Sequence, residues 1–314
     1  VDHLQATYNR AEQAFTKGEP AWGGHLADEL TRLINLHDAS TIAAVIVEPV
    51  AGSTGILPPP KGYLKKLREI TAQHGILLIF DEVITGFGRT GNMFGTETYK
   101  LEPDIITVAK ALSSGYLPIS ATIVSEKMYQ AFLSQSDKIG QFAHGYTYSG
   151  HPVSAAVAIE TLKIYEERRI VEHVRELMGG FQANLRKFAE HPFVGEVRGV
   201  GLIGALEIVK DKATKLSFDR KLGAGGLIAA AAQKEGLIVR ALGDTIAFCP
   251  PLIISEQQSN GHRSSPSAFR GSRSAQADSA GLVLNPSVQR PRLLGLRAQV
   301  RWPEPNEPGC PAPR

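Results

Sequence analysis

The sequence is poor in cysteine and has no long apolar run. Its two cysteines, Cys249 and Cys310, supply neither a disulfide framework nor the ligand spacing of a metal site, which favours a reducing compartment. No apolar stretch approaches the ~20 residues that a membrane span needs, and no signal-peptide pattern opens the chain. We therefore expect no metal, no membrane partner and a cytoplasmic location.

The phosphate-loop motif G-x-x-x-x-G-K-[ST] is also missing. The 314 residues are 43% hydrophobic and 21% charged with a net charge of +3. This length is enough for one large or two ordinary domains.

Residues 257–314 differ from the rest, because they contain eight arginines, no lysine, three acidic residues and eight prolines. This composition predicts a disordered tail. A basic nucleic-acid arm is one interpretation of it, and non-native sequence from an out-of-frame reading is the one we favour, so we expect no nucleic-acid partner.

Apolar runs alternate with amphipathic helical patterns over the first 170 residues. Strands are predicted at 42–47, 76–80, 105–108 and 119–124, and helices at 24–37, 64–74 and 152–169. This alternation predicts an α/β fold with a mostly parallel sheet. A long helix and paired strands after it predict a smaller α+β domain. We divide the chain into a large domain (1–171), a small domain (172–256) and the tail (257–314).

An acid and an amine follow two consecutive predicted strands. Asp81 ends the first strand, and Lys110 closes the apolar run of the second. Parallel neighbours would bring both to one carboxyl-terminal edge, where open α/β sheets bind ligands. We expect the Lys110 stem to be partly buried, which lowers a lysine pKa and suits it to Schiff-base chemistry. Asp81 could meet a protonated pyridine nitrogen, so the pair predicts pyridoxal phosphate. A structural salt bridge is the alternative.

Two other motifs are typical of different functions, dinucleotide binding and ATP hydrolysis. The pattern G-x-G-x-x-G occurs at 86–91 and again at 199–204, but neither context gives the strand, helix and acid of a dinucleotide site. The strand that ends in Asp81 and Glu82 resembles a Walker B segment, which would make the chain part of an ATPase. Without a phosphate loop, that reading stays a remote alternative.

Several segments together resemble class III (ω-amino acid type) pyridoxal-phosphate-dependent aminotransferases. The matching segments are EPV (48–50), LLIFDEVITGFGRTG (77–91), DIITVAKALSSG (104–115), HGYTYSGHP (144–152) and VRALGDTIAFCPPLI (239–253). They occur in the family's order, and the resemblance covers essentially all of 1–256 but none of the tail. The resemblance implies a fold-type I enzyme with a large and a small domain. It also implies pyridoxal phosphate as cofactor and a homodimer.

The resemblance implies roles for six residues. Lys110 forms the Schiff base and shuttles the substrate proton, while Asp81 keeps the ring nitrogen protonated and Val83 packs on the ring. Thr147 binds the phosphate of the neighbouring subunit's cofactor. Arg240 grips a substrate carboxylate, and Glu48 pairs with Arg240 when an uncharged side chain enters; an ordinary ion pair between those two is the alternative.

The implied reaction moves an amino group from an ω-amino acid or amine to a keto acid, with pyruvate expected. Family members also have a portion that precedes the point at which Val1 begins, with the phosphate loop and the second ring-stacking residue. On this basis we expect weak or no activity from these 314 residues. The alternative is that the chain is a catalytically inactive remnant, truncated or frame-shifted, with an exposed apolar sheet face.

Overall fold

The computed structural model describes residues 1–13 and 18–261. Four strands form the first sheet: β1 (Ala44–Val47), β2 (Leu77–Asp81), β3 (Ile105–Val108) and β4 (Ala121–Val124). Their order in the sheet is the order in the sequence. β1, β2 and β3 are parallel, and β4 runs antiparallel to β3. The predicted strands are therefore present, and this sheet is mostly parallel.

One face of the first sheet is well packed and the other is more open. Leu78 and Phe80 on β2 are fully buried, in a cluster that includes Leu67 and Ile70 of the helix that precedes β2. On the opposite face the aligned residues Ile46 and Ile79 are exposed and half-buried. The described chain thus packs a helical layer against one face of this sheet.

Nine helices lie within the described ranges. They are α1 (Arg10–Gln13), α2 (Asp28–His37), α3 (Tyr63–His74), α4 (Gly95–Tyr99), α5 (Glu126–Ile139), α6 (Pro152–Glu167), α7 (Ile170–Lys187), α8 (Ala224–Lys234) and α9 (Glu256–Gly261). α3 ends at Gly75, which has a left-handed conformation, and α6 begins with Pro152, both as the sequence predicts. α4 and α5 were not predicted. α5 has no buried residue.

A second sheet lies in the later part of the chain. Its strands are β5 (Val194–Val200), β6 (Ile203–Ile208), β7 (Arg240–Leu242) and β8 (Thr245–Phe248). The order is β5-β6-β8-β7 and every pairing is antiparallel. The paired strands predicted after the long helix are present. α7 packs on this sheet through Phe181 and Leu185.

One apolar core joins the two halves of the chain. It contains Phe87, Val108 and Leu112 from the first half together with Val174 and Ile246 from the second. The division at residues 171 and 172 stays a prediction, since a shared core neither sets nor removes a domain boundary. Helix α9 reaches into the start of the predicted tail, and the tail residues 262–314 lie outside the described residues.

Candidate functional site

Three of the six predicted site residues follow the carboxyl ends of adjacent parallel strands. Glu48 follows β1, Asp81 ends β2, and Lys110 comes two residues after β3. The register pairs Asp81 with Thr107 of β3, and the Glu82 amide donates to the Thr107 carbonyl at 2.9 Å. The sheet therefore gathers these three side chains at one edge, the edge at which open α/β sheets bind ligands.

Asp81 is half-buried and is oriented by its own turn. Its Oδ1 accepts a hydrogen bond from the Val83 amide at 3.0 Å. A carboxylate in this arrangement keeps further lone pairs for a cationic or N–H partner. Val83 is half-buried in the same turn. No salt bridge joins Asp81 to Lys110 within the residues that the structure describes.

Lys110 is exposed, so the expectation of a partly buried stem is wrong for this structure. β3 ends at Val108, and the chain turns at Lys110 into a short 3-10 helix that spans Lys110–Ser113. The apolar pattern of the strand therefore no longer governs burial at residue 110. Lys110 has a φ of 47°, a left-handed conformation uncommon outside glycine and enriched at functional sites.

Glu82 is fully buried and holds the turn after β2 against helix α4. Its carboxylate accepts hydrogen bonds from the Thr85 hydroxyl and from the Gly95 and Thr96 amides, the latter two at 2.7 Å. Burial raises the pKa of Glu82, against the opposing effect of these bonds. This carboxylate is fully used within the fold, which does not fit the Walker B alternative. The described ranges also contain no group of three or more His, Cys, Asp or Glu that could hold a metal.

Glu48 is half-buried and bound to the loop that follows it. Its Oε2 accepts a hydrogen bond from the Gly52 amide at 2.9 Å. Arg240 is the first residue of β7, in the second sheet, and is exposed. Among the described residues no salt bridge joins Glu48 to Arg240, so the ordinary ion pair is not observed here. The first sheet does not bring Arg240 to its edge.

Thr147 lies in an exposed loop beside an open cleft of about 910 Å³. Tyr146 and Tyr148 on either side of it line this cleft, together with Ile119, His151 and Ser154. Ser154 is on α6, which packs against the 3-10 helix that begins at Lys110. Lys110 and Asp81 do not line the cleft. The structure therefore places Thr147 beside a cleft that is not shared with the Lys110 amine.

The sequence interpretation missed a buried charged network on the second sheet. Arg198 on β5 donates from Nη2 to Glu207 Oε2 at 2.9 Å, and the Thr245 hydroxyl donates to the same oxygen at 2.8 Å. Arg10, near the start of the chain, also pairs with Glu207. Burial alone would raise the pKa of Glu207, but Arg198 and Thr245 outweigh it and hold that pKa below its ordinary value. The sequence did contain a signal for this network, because Glu196, Arg198 and Glu207 are charged residues inside otherwise apolar strands.

The chemistry of the residues at the sheet edge fits pyridoxal phosphate. Asp81 offers a fixed carboxylate with unused lone pairs, and Lys110 offers an exposed amine two residues after the neighbouring strand. A carboxylate for a pyridinium nitrogen and a lysine for a carbonyl carbon are the two groups that proteins use to hold this cofactor. No helix in the described ranges is long and apolar enough to cross a membrane.

Comparisons with known proteins agree on one family. The family model described as aminotransferase class-III matches residues 3–263. Gamma-aminobutyrate transaminase 1, mitochondrial, from Oryza sativa subsp. indica is 48% identical over 240 residues, which cover 76% of this chain and 46% of the relative. Gamma aminobutyrate transaminase 3, chloroplastic, from Solanum lycopersicum is 47% identical over 240 residues, with coverage of 76% and 46%.

Solved structures give the same result. A transaminase with L-Ala has a TM-score of 0.74 and 50% identity, covering 76% of this chain and 57% of that one. The omega transaminase from Pseudomonas jessenii in complex with PMP has a TM-score of 0.72 and 44% identity, with coverage of 76% and 52%. This chain thus spans about half the length of the curated relatives that it matches.

Proposed function

Because this chain belongs to the class III aminotransferases, a fold-type I family that depends on pyridoxal phosphate, we propose that it carries the lysine and the acid of a transaminase active site. The observation that supports this most is the β2–β3 register, which sets Asp81 and Lys110 at the ends of adjacent parallel strands. We propose an ω-amino acid or an amine as amino donor and a keto acid, pyruvate first, as acceptor.

When bound, pyridoxal phosphate supplies a carbonyl for amine condensation and a ring that withdraws electrons. Asp81, held by the Val83 amide, keeps a proton at the ring nitrogen. Lys110 would hold the cofactor through Nζ and would move a proton at the substrate carbon. Val83 packs against the ring. Each role is a proposal that rests on the position of the residue at the sheet edge.

Three further roles belong to the same proposal. Thr147 binds the cofactor phosphate of a second copy of the chain, so the active form is a homodimer. Arg240 binds a substrate carboxylate, and Glu48 meets Arg240 when an uncharged substrate enters. The exposed positions of Thr147 and Arg240 and the half-buried position of Glu48 leave all three available for these contacts. The cytoplasm remains the proposed compartment, on the support of the low cysteine content.

Reduction with borohydride in the presence of pyridoxal phosphate, followed by peptide mapping, tests the proposal. We expect covalent label on Lys110 and none in Lys110→Met. Lys100→Met is the matched control, because Lys100 is also exposed and has a similar φ of 54°. Label spread equally over exposed lysines, or none on Lys110, would contradict the proposal and favour the inactive remnant.

A second measurement tests the role of Asp81. Asp81→Asn should lose at least about 100-fold in the rate of amino transfer from donor to pyruvate while Lys110 still accepts label, since loss of a positioned acid or base typically costs 10²–10⁴-fold. An unchanged rate in Asp81→Asn would remove Asp81 from the site.

A further inference from the structure

Arg198 joins the loop after β1 to the second sheet. Its Nε donates to the carbonyl oxygens of Gly55 at 2.9 Å and Ile56 at 3.2 Å. Its Nη2 donates to Glu207 at 2.9 Å and reaches the Thr245 hydroxyl at 3.4 Å. The side chain is 3% exposed, and its guanidinium lies over the Tyr8 ring. Its Nη1 also pairs with Glu196 at 3.4 Å, so a single buried guanidinium binds two backbone carbonyls of the loop and three side chains of the second sheet.

The loop that Arg198 holds has an uncommon backbone conformation. Ala51 and Leu57 exchange two backbone hydrogen bonds that close it. Ile56 has a φ of 55°, which is strained for a β-branched residue, and its side chain is 2% exposed. Such a conformation persists only where the surroundings impose it. The Arg198 bond to the Ile56 carbonyl is part of what imposes it.

One side of this loop reaches the edge of the first sheet. The Gly52 amide donates to Glu48 Oε2 at 2.9 Å, so the loop orients the Glu48 carboxylate. Gly52 also packs closely on Ile84, because a Cβ at residue 52 would lie 2.3 Å from Ile84 Cδ1. Ile84 follows Val83 in the turn after β2. A change in the loop would therefore move Glu48 relative to the Asp81 turn.

The other side of the loop reaches the strand pair that carries Arg240. Ile56 and Val50 pack in one apolar cluster with Ala247 of β8. Ala247 is the cross-strand partner of Arg240, and Thr245, which Arg198 reaches, pairs with Leu242 of the same strand. The loop is thus packed against the β-ladder that sets the position of Arg240.

We propose that Arg198 is a positioning residue that fixes Glu48 relative to Arg240 and so sets the preference between carboxylate-bearing and uncharged amino donors. This inference rests on the proposed function, which gives Glu48 and Arg240 their contacts with substrate. Arg198 itself touches neither substrate nor cofactor in this scheme. The planar guanidinium of arginine suits this role. Lysine offers only a point charge and cannot bind both carbonyls and Glu207 in one plane.

Kinetics on the full chain test the specificity claim. The variants are Arg198→Lys and, as a milder change, Thr245→Val, which removes the hydroxyl between Arg198 and Glu207. Arg32→Lys is the control, since Arg32 is an exposed arginine paired with Glu29. We measure kcat/KM for 4-aminobutyrate and for 1-phenylethylamine with pyruvate. The ratio of the two kcat/KM values should change by about tenfold in Arg198→Lys, mainly through KM, because a small misplacement of a binding group lowers the rate by about 10–100-fold. The change in Thr245→Val should be smaller.

Hydrogen–deuterium exchange of the peptide 50–58 provides a readout that needs no activity. The amides of Gly55, Ile56 and Leu57 are hydrogen-bonded within the loop. Their exchange should be at least about tenfold faster in Arg198→Lys than in wild type and unchanged in Arg32→Lys. If Arg198→Lys fails to fold, Thr245→Val gives the same comparison with a smaller acceleration.

The outcomes separate this inference from the proposed function. Faster exchange with an unchanged substrate ratio overturns the positioning role while the transaminase function stands. Unchanged exchange overturns the link between Arg198 and the loop. Absence of both amino transfer and Lys110 label in wild type overturns the proposed function, and with it the specificity claim, whatever the exchange result.

Discussion

Replacing Glu82 by glutamine tests how a buried carboxylate holds the turn after β2. Both oxygens accept a backbone N–H, Oε2 from Gly95 and Oε1 from Thr96, each at 2.7 Å. Glutamine has only one oxygen, so whichever way its amide is turned, one buried N–H faces an NH₂ group and loses its acceptor. An unsatisfied buried donor costs about 1–3 kcal/mol, and removal of the buried charge offsets part of this cost. We expect the free energy of unfolding to fall by about 1–2 kcal/mol at pH 5.

The dependence of unfolding free energy on pH tests the direction of the Glu82 pKa shift. Since burial raises the folded-state pKa of Glu82, the native protein binds more protons than the unfolded chain between the ordinary pKa and the raised one. The stability that Glu82 contributes is therefore fully present below the ordinary pKa and declines as pH rises through the folded pKa. Glu82→Gln lacks this decline, so the difference in unfolding free energy between wild type and variant should shrink between pH 5 and pH 8.

Urea unfolding followed by far-UV circular dichroism at pH 5, 6.5 and 8 measures the effect. Glu102→Gln is the matched control, because Glu102 is exposed and its replacement should change stability by less than about 0.5 kcal/mol. A Glu82→Gln effect equal to that of the control, or a difference that grows with pH, would refute the assignment of Glu82 as a buried acceptor with a raised pKa.

Two stability predictions concern packing. Gly201→Ala should lower the free energy of unfolding by about 2–4 kcal/mol, because its φ is 57° and a Cβ would lie 2.3 Å from the Arg89 carbonyl oxygen, whereas Gly223→Ala, with a φ of 60° and open space, should cost about 1–2 kcal/mol. Leu78→Ala removes a fully buried side chain from β2 and should cost about 2–5 kcal/mol, against about 1 kcal/mol or less for the exposed Ile46→Ala. Urea midpoints with a common m-value check both pairs, and equal effects within either pair would contradict the packing on which that prediction rests.

The local pattern of the sequence was enough to predict the four strands of the first sheet and the edge at which its site residues lie. The runs at 76–80 and 105–108 are short, apolar and closed by charge, and the structure has strands there that end beside Asp81 and Lys110. Gly75 and Pro152 mark helix ends through backbone preferences that act within one turn. These features depend on neighbours in sequence, so they can be predicted without knowledge of the fold.

Side-chain burial required the tertiary structure. Lys110 was expected to be partly buried but is exposed, because β3 ends at Val108 and the chain turns into a short 3-10 helix at Lys110. The contact of Arg198 with Gly55 joins residues 143 positions apart, a separation at which no periodic pattern gives a signal.

The amino-acid sequence by itself therefore determined the family, the strand order along the chain and the two groups that suit a pyridine cofactor. Only the tertiary structure decided that Glu82 is a buried acceptor and that Arg198 bridges a strained loop to the second sheet. The physical reason is the distance in sequence over which each effect acts. Backbone propensity and capping act over a few residues, whereas desolvation and buried hydrogen bonds depend on distant segments that folding brings together.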